Sequence, residues 1–368
     1  MSTIFNMKGF FKKAIFALLA GVVICGAFFV RETKANDVAV DEVNFPDEIF
    51  RNYVTKYADA DNDGFLSAEE RSSVKKINTD KYVDKYYSEP GTHISSLKGI
   101  EYFSELTFLN CRRNWIDTLD ISKNKKLERV SCAADNIKTL LLPETATLKY
   151  LNCSGNSIEK LDVSKCPNLE VLTCYFSDIK SIKLGKNIKT LDLYHNDLTN
   201  LNLKDCRKLE WLRCDHNYLS SLNVKNARKL KRLYCSTNKL TSLKTDNPLL
   251  ERLICHDSKL KNITIINSKK FKVLNCSGNK LKKMKISNPG SITSLYCSSN
   301  KFTSINMKKF KKLKKIDCTD NRIKKLDVRK MPKGATAYVD KSVKLIKIGK
   351  WEKEFDWMKK YINYKKVR

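Results

Sequence analysis

The sequence predicts a mainly β, right-handed solenoid of about 11 turns of 21 residues, closed at its N-terminus by a small α-helical cap. Two observations predict it. A nine-residue phrase recurs, as L-K-Y-L-N-C-S-G-N from Leu148, L-E-W-L-R-C-D-H-N from Leu209 and L-K-R-L-Y-C-S-T-N from Leu230. Its sixth residue then marks time: Cys111, Cys132, Cys153, Cys174, Leu193, Cys214, Cys235, Cys255, Cys276, Cys297 and Cys318, with gaps of 21 residues except for one of 19 and one of 20.

A period of 20–29 residues on this skeleton is the signature of leucine-rich repeats, where each turn supplies one strand to a parallel sheet. One turn cannot bury its own leucines, so neighbours above and below must complete the core. Strand side chains alternate, so Leu and Cys of L-x-C point inward and the residues between them outward. Three residues past the Cys slot stands Asn in eight turns, with Asp135, Ser177 and Ser258 in the others. A buried Asn there can bridge backbone groups where the chain leaves the sheet. The second half of each turn, such as Ile158-Glu-Lys-Leu161-Asp-Val163, alternates as a second short strand on the convex side.

At 368 residues and 42% hydrophobic, the chain can bury a large core. Residues 1–35 read as a signal peptide: Lys8, Lys12 and Lys13 precede an apolar run from Ala14 to Val30, and Thr33-Lys34-Ala35 offers cleavage after Ala35. An uncleaved membrane anchor is the rival reading. Either way the body is exported, to be secreted or held at the cell surface. The thirteen cysteines of the full chain then suggest disulfides, but stacked rungs about 4.8 Å apart cannot meet disulfide geometry, so reduced, core-filling thiols are expected.

Residues 36–93 form the expected cap. Asn44 to Glu48 starts a helix, with Pro46 in its first turn and acids facing the dipole. Asp59-Ala-Asp61-Asn-Asp63-Gly64-Phe65-Leu66-Ser67-Ala-Glu-Glu70 fits the EF-hand loop at every specified position. Calcium takes oxygens at flexible spacing: the Asp59, Asp61 and Asp63 carboxylates, the Phe65 carbonyl, Ser67 through water, and Glu70. Ser67 and Glu70 also make a capping box for an outgoing helix through Val74 and Ile77. One loop without a partner favours a single structural Ca2+ over a switch.

Gly99-Ile-Glu-Tyr-Phe103 leads into the repeats, and with it a resemblance is complete. The F-P-D helix, the EF-hand loop, G-I-E-Y-F and the C-x-x-N turns resemble secreted or cell-surface leucine-rich-repeat proteins of Gram-positive bacteria. The match covers roughly Asn44 to Val339. It implies a binding protein rather than an enzyme, and no nucleophile elbow, phosphate loop or carboxylate pair argues for catalysis.

Residues 94–342 are the expected solenoid, and 343–368 a basic C-terminal cap or tail. In that tail Trp351, Phe355, Met358 and Ile362 share a helical face, which suits capping an open solenoid end or attachment to a membrane surface. The outward strand positions make the predicted concave ligand face: Tyr150, Tyr175, Tyr194, Trp211, Arg213, Arg232, Tyr234, Arg252 and Tyr296. Aromatics and arginines anchor protein interfaces, and aromatic faces stack on sugars, so a protein or glycan ligand is expected. His195 and His216 hold equivalent slots on adjacent turns, close enough to stack.

Net charge is +31 and uneven. Asn36–Glu105 holds 8 Lys/Arg against 15 Asp/Glu, net −7; residues 301–368 hold 23 against 7, net +16. The basic end suits an anionic cell-wall polymer or membrane surface, and export argues against nucleic acid. The alternative is an envelope scaffold held by charge with no dedicated ligand.

Overall fold

The computed structural model describes residues 36–80, 93–329, 331–332 and 334–346, with two further backbone strands, Trp351–Glu352 and Asn363–Val367. Residues 1–35, and so the signal peptide, lie outside the described residues. Among the described residues no helix is long and apolar enough to cross a membrane.

The repeats supply most of one sheet of 15 strands, of which 13 pair in parallel and the last two, at the C-terminal end, antiparallel. Successive turns pair in parallel and in register, so Leu151, Leu172, Leu191, Leu212 and Leu233 stand over one another. Every Cys of the ruler, and Leu193 among them, is buried to 1% exposure or less. Opposite this sheet run short parallel ladders, such as Thr118–Asp120 with Thr139–Leu141 and Ser242–Asp246 with Asn262–Ile266. The Asn found at this position in eight of the turns then ties the rungs. Asn217 Nδ2 donates to the Leu193 carbonyl one turn below at 2.8 Å, and its Oδ1 accepts from the Leu198 amide at 3.0 Å. All twelve described cysteines are free.

The cap is built from two helices. Helix α1 (Glu48–Tyr57) starts on Asp47, whose Oδ1 accepts from Phe50 N; Pro46 therefore lies just outside the helix rather than in its first turn. Asp47 Oδ2 also accepts from the Ser95 amide at 2.7 Å, pinning the cap to the first turn. Gly99, at φ 100°, passes so near the Phe45 ring that a Cβ would collide with it.

Helix α2 (Ala68–Ser73) stops short of the expected Val74 and Ile77. The hydroxyls of Ser72 and Ser73 bend back onto the carbonyls of Glu69 and Glu70, a local competition that weakens a helix end. Ile77 instead sits buried in Lys76–Asn78, the first strand of the long sheet, which pairs with Phe108–Asn110. Thr79 follows it in the Cys slot, fully buried.

The C-terminal end also departs from expectation. Trp351 lies on a strand and not on a helix: Trp351–Glu352 pairs antiparallel with Asn363–Val367, which pairs antiparallel with Thr336–Val339 of the last turn. Phe355, Met358 and Ile362, the rest of that predicted face, lie outside the described residues.

Candidate functional site

Two regions gather functional side chains. The first is the loop between α1 and α2. Gly64 takes φ 83° at its sharp turn. Oxygens of Asp59, Asp61 and Asp63 all lie within 4.8 Å of one another. Asp59 is buried, and its Oδ1 has no hydrogen-bond partner while Oδ2 accepts from Gly64 N at 3.1 Å. Burial raises the Asp59 pKa, and the nearby Glu70 and Asp63 charges add to it against the Gly64 amide.

Glu70 folds back across the loop. Its carboxylate accepts from Ala60 N at 2.7 Å, Ser67 N at 2.8 Å and Ser67 Oγ at 2.8 Å, which completes the capping box. Phe65–Leu66 pairs antiparallel with Val38–Ala39, so the strand of this loop finds a partner in the N-terminal segment rather than in a second loop.

The second region is the outer surface of the long sheet. The nine predicted ligand residues are not one row. Tyr150, Trp211, Arg232 and Arg252 fall in one column, and Arg213, Tyr234 and Tyr296 in the next. Tyr175 and Tyr194 stand past the strand ends, in a third row. Two of the nine are set apart: Tyr150 lies under the Arg129 guanidinium at 3.9 Å, and Tyr296 has Lys315 over its ring at 5.6 Å.

Arg232 and Arg252 hold their places in the first column without lining the hollow described next, whereas Tyr175, Tyr194, Trp211, Arg213 and Tyr234 converge. Arg213 lies 3.9 Å over the Tyr194 ring and within 3.7 Å of Asp192 and 3.6 Å of Asp215. Burial raises the pKa of both acids, with Tyr194 N opposing at Asp192 and Ser236 N at Asp215; Arg213 favours the charged form of each. Trp211 and Tyr234 pack at 5.9 Å beside them, and Tyr194, Trp211, Arg213 and Tyr234 line one shallow hollow with His256. His195 and His216 do stack, 5.8 Å apart and 14° from parallel.

Phe176 is the member that sequence reasoning missed. It packs on His195 at 4.6 Å and on Tyr194 at 5.2 Å, yet is 48% exposed. The residue two past each Cys slot is left-handed in all eleven turns: Phe176 at φ 52°, His195 at 55°, His216 at 53°, and Gly155 and Gly278 among the rest. That recurring turn raises Phe176, His195 and His216 into a single exposed row. Only the two glycines hinted at it, because Gly is the residue that adopts this conformation at no steric cost.

No protein-family model matches the chain, and no curated protein does. Its structure is similar to the functional domain of InlJ from Listeria monocytogenes, which includes a cysteine ladder: 25% identity, TM-score 0.65, covering 87% of this chain and 73% of that one. The chain is a leucine-rich-repeat solenoid. The leucine-rich effector protein YopM from Yersinia pestis matches this solenoid at 19% identity and TM-score 0.56, over 67% and 73% of the two chains. The LRIM1/APL1C complex matches at 21% and 0.54, over 65% and 47%.

The thiol column of the solenoid is chemically quiet. Burial pushes the pKa of Cys111, Cys174, Cys214 and Cys255 well up, that of Cys276 to about 12, and that of Cys166 and Cys206 on the opposite side to about 11. A thiol kept protonated is a poor nucleophile.

Proposed function

We propose that the protein is exported and binds a protein or glycan ligand non-covalently at the cell surface, through the outer face of its long sheet. The observation that carries this reading is the convergence of Tyr175, Phe176, Tyr194, Trp211 and Tyr234 around an arginine clamped between two buried acids. Preordered aromatics and arginine lose little side-chain entropy on binding, which is why they dominate binding energy elsewhere. The reading is non-enzymatic, and the buried ladder thiols take no part in it. The basic C-terminal third would keep the protein near anionic material at the same surface.

The test is an array of surface proteins and glycans, probed with wild type and with the triple variant Tyr194→Ala, Trp211→Ala, Tyr234→Ala. Saturable binding lost in the variant is expected. Equal binding by both proteins would remove this face from consideration.

Calcium belongs to the same proposal. Asp59, Asp61 and Asp63, with the Phe65 carbonyl, Ser67 through water and Glu70, would hold one Ca2+ that neutralises the clustered acids and locks the cap. The orphaned, buried Asp59 Oδ1 supports it. Calorimetric titration should show one site per chain, and calcium should raise the unfolding temperature, with both effects lost in Asp59→Asn. A chain that takes up no calcium, or is not stabilised by it, would leave the loop as a simple helix cap.

A further inference from the structure

The residue four before each Cys slot forms a row along the rim of the long sheet. From Glu128 it reads Glu128, Lys149, Glu170, Lys189, Glu210, Lys231, Glu251, Lys272, strictly alternating in sign. Each lysine reaches the glutamate one turn below, at 2.9, 2.7, 2.6 and 4.0 Å in that order. At the next turn the alternation stops. Thr293 stands where a glutamate is due, and Lys314 follows it.

The break creates a recess. It runs over four successive turns: Lys269, Lys270 and Lys272 line the first, Ser291 and Thr293 the second, Lys311, Lys312 and Lys314 the third, and Pro332, Gly334 and Ala335 the fourth. The two lysine rows stand two rungs apart, which at the spacing of paired strands is about 10 Å. All six lysines are exposed, and among the described residues the salt bridge that reaches them is Lys272 to Glu251 at 4.0 Å. Around them, residues 258–316 carry 16 lysines and no Asp or Glu. The hydroxyl hydrogens are already committed, Ser291 Oγ to the Phe271 carbonyl and Thr293 Oγ1 to that of Lys272. Recognition here must therefore come from ammonium charge.

We propose that this recess binds a single extended polyanion, a linear chain of phosphate or sulfate groups lying across its two lysine rows. Two triplets of cations separated by an uncharged turn suit repeated charge on a narrow chain, and the absence of any acid from residues 258–316 leaves no carboxylate among them to oppose it. The inference rests on the export reading only for where such a polymer would be met; the binding itself does not depend on it.

The probes for the full chain are long-chain polyphosphate and heparin, which separate phosphate from sulfate, with phosphatidylglycerol vesicles and duplex DNA as competitors. Thr293→Glu restores the missing carboxylate beside Lys314. It should weaken polymer binding about tenfold while leaving the unfolding temperature unchanged or higher, a size in keeping with losing one or two anion contacts. The triple variant Lys311→Gln, Lys312→Gln, Lys314→Gln should lower the slope of log affinity against log salt by about 2–3, near one per lost contact. A charge-matched control, Lys204→Gln, Lys225→Gln, Lys229→Gln, should lower it by less than about 1. Equal losses in both triples would reduce the effect to net charge and overturn the site. So would Thr293→Glu binding as wild type does, or vesicles or duplex binding while single chains do not. The Tyr194, Trp211, Tyr234 variant should bind polymer normally, so failure here and failure of the ligand face are separate results.

Discussion

The turns from Glu105 to Glu251 and those from Ser258 to Ile316 share one core and differ in their surface. Both stack buried leucine and cysteine, and both tie their rungs with asparagine: Asn217 Nδ2 reaches Leu193 O at 2.8 Å and Asn300 Nδ2 reaches Cys276 O at 2.9 Å. The first region crosses its turns with Lys–Glu pairs, and the second drops every acid. The inward positions answer to the neighbouring turn, the outward ones only to solvent or a partner. Surface charge can therefore drift along a solenoid without touching what holds it together.

Asp135 gives the comparison its largest expected break. It occupies the asparagine position in the first region, buried, with Oδ1 accepting from Asn114 N at 2.6 Å and Oδ2 unpartnered. Burial pushes its pKa to about 8, with the Asn114 amide, Asp80 and Arg112 as lesser influences. A carboxyl raised in the folded state contributes stability that is complete below its unfolded pKa and is lost as pH rises through the folded value. Asp135→Asn should thus be more stable than wild type by a margin that grows by on the order of 1.4 kcal/mol per pH unit from about pH 4 to about pH 8. Denaturant titrations at each pH measure it, and a margin independent of pH would refute it.

The next is a matched pair. Leu212→Ala and Leu295→Ala empty the same core position in the two regions and should each cost about 3 kcal/mol. Unequal losses in urea midpoint, at constant slope, would show that the cores differ after all.

The smallest effect lies on the rim. Glu210→Gln should cost under about 0.5 kcal/mol, the scale of an exposed ion pair. Raising salt should increase hydrogen-exchange protection in residues 258–316, where like charges repel, and leave residues 105–251 unchanged or slightly less protected. Identical salt responses would erase the distinction.

The solenoid was legible in the sequence because an inward side chain must recur every turn, and eleven recurrences leave little else to fit. Positions that face outward carried no such constraint. Tyr150, Tyr175 and Tyr234 looked like one stripe, but they sit at three different offsets from their Cys slots, where a column requires the same offset. The left-handed residue of each turn was invisible for a related reason: Arg113, Ala134, Phe176 and Thr237 all take it, so backbone geometry recurs where residue type does not. Val74, Ile77 and Trp351 were read as helical because apolar residues spaced three or four apart, over so short a stretch, fit a helix and a strand bounded by a turn equally well.

A parallel, in-register ribbon 13 strands long is also the kind of template on which fibrils grow, by adding strands at its open ends. At one end the Asn78 amide donates to the Tyr53 hydroxyl from the cap helix at 3.1 Å, where an incoming strand would need that amide. At the other, the chain reverses and leaves a final strand of two residues, Trp351–Glu352. Both ends of the ribbon are thus blunted against the addition of a further strand.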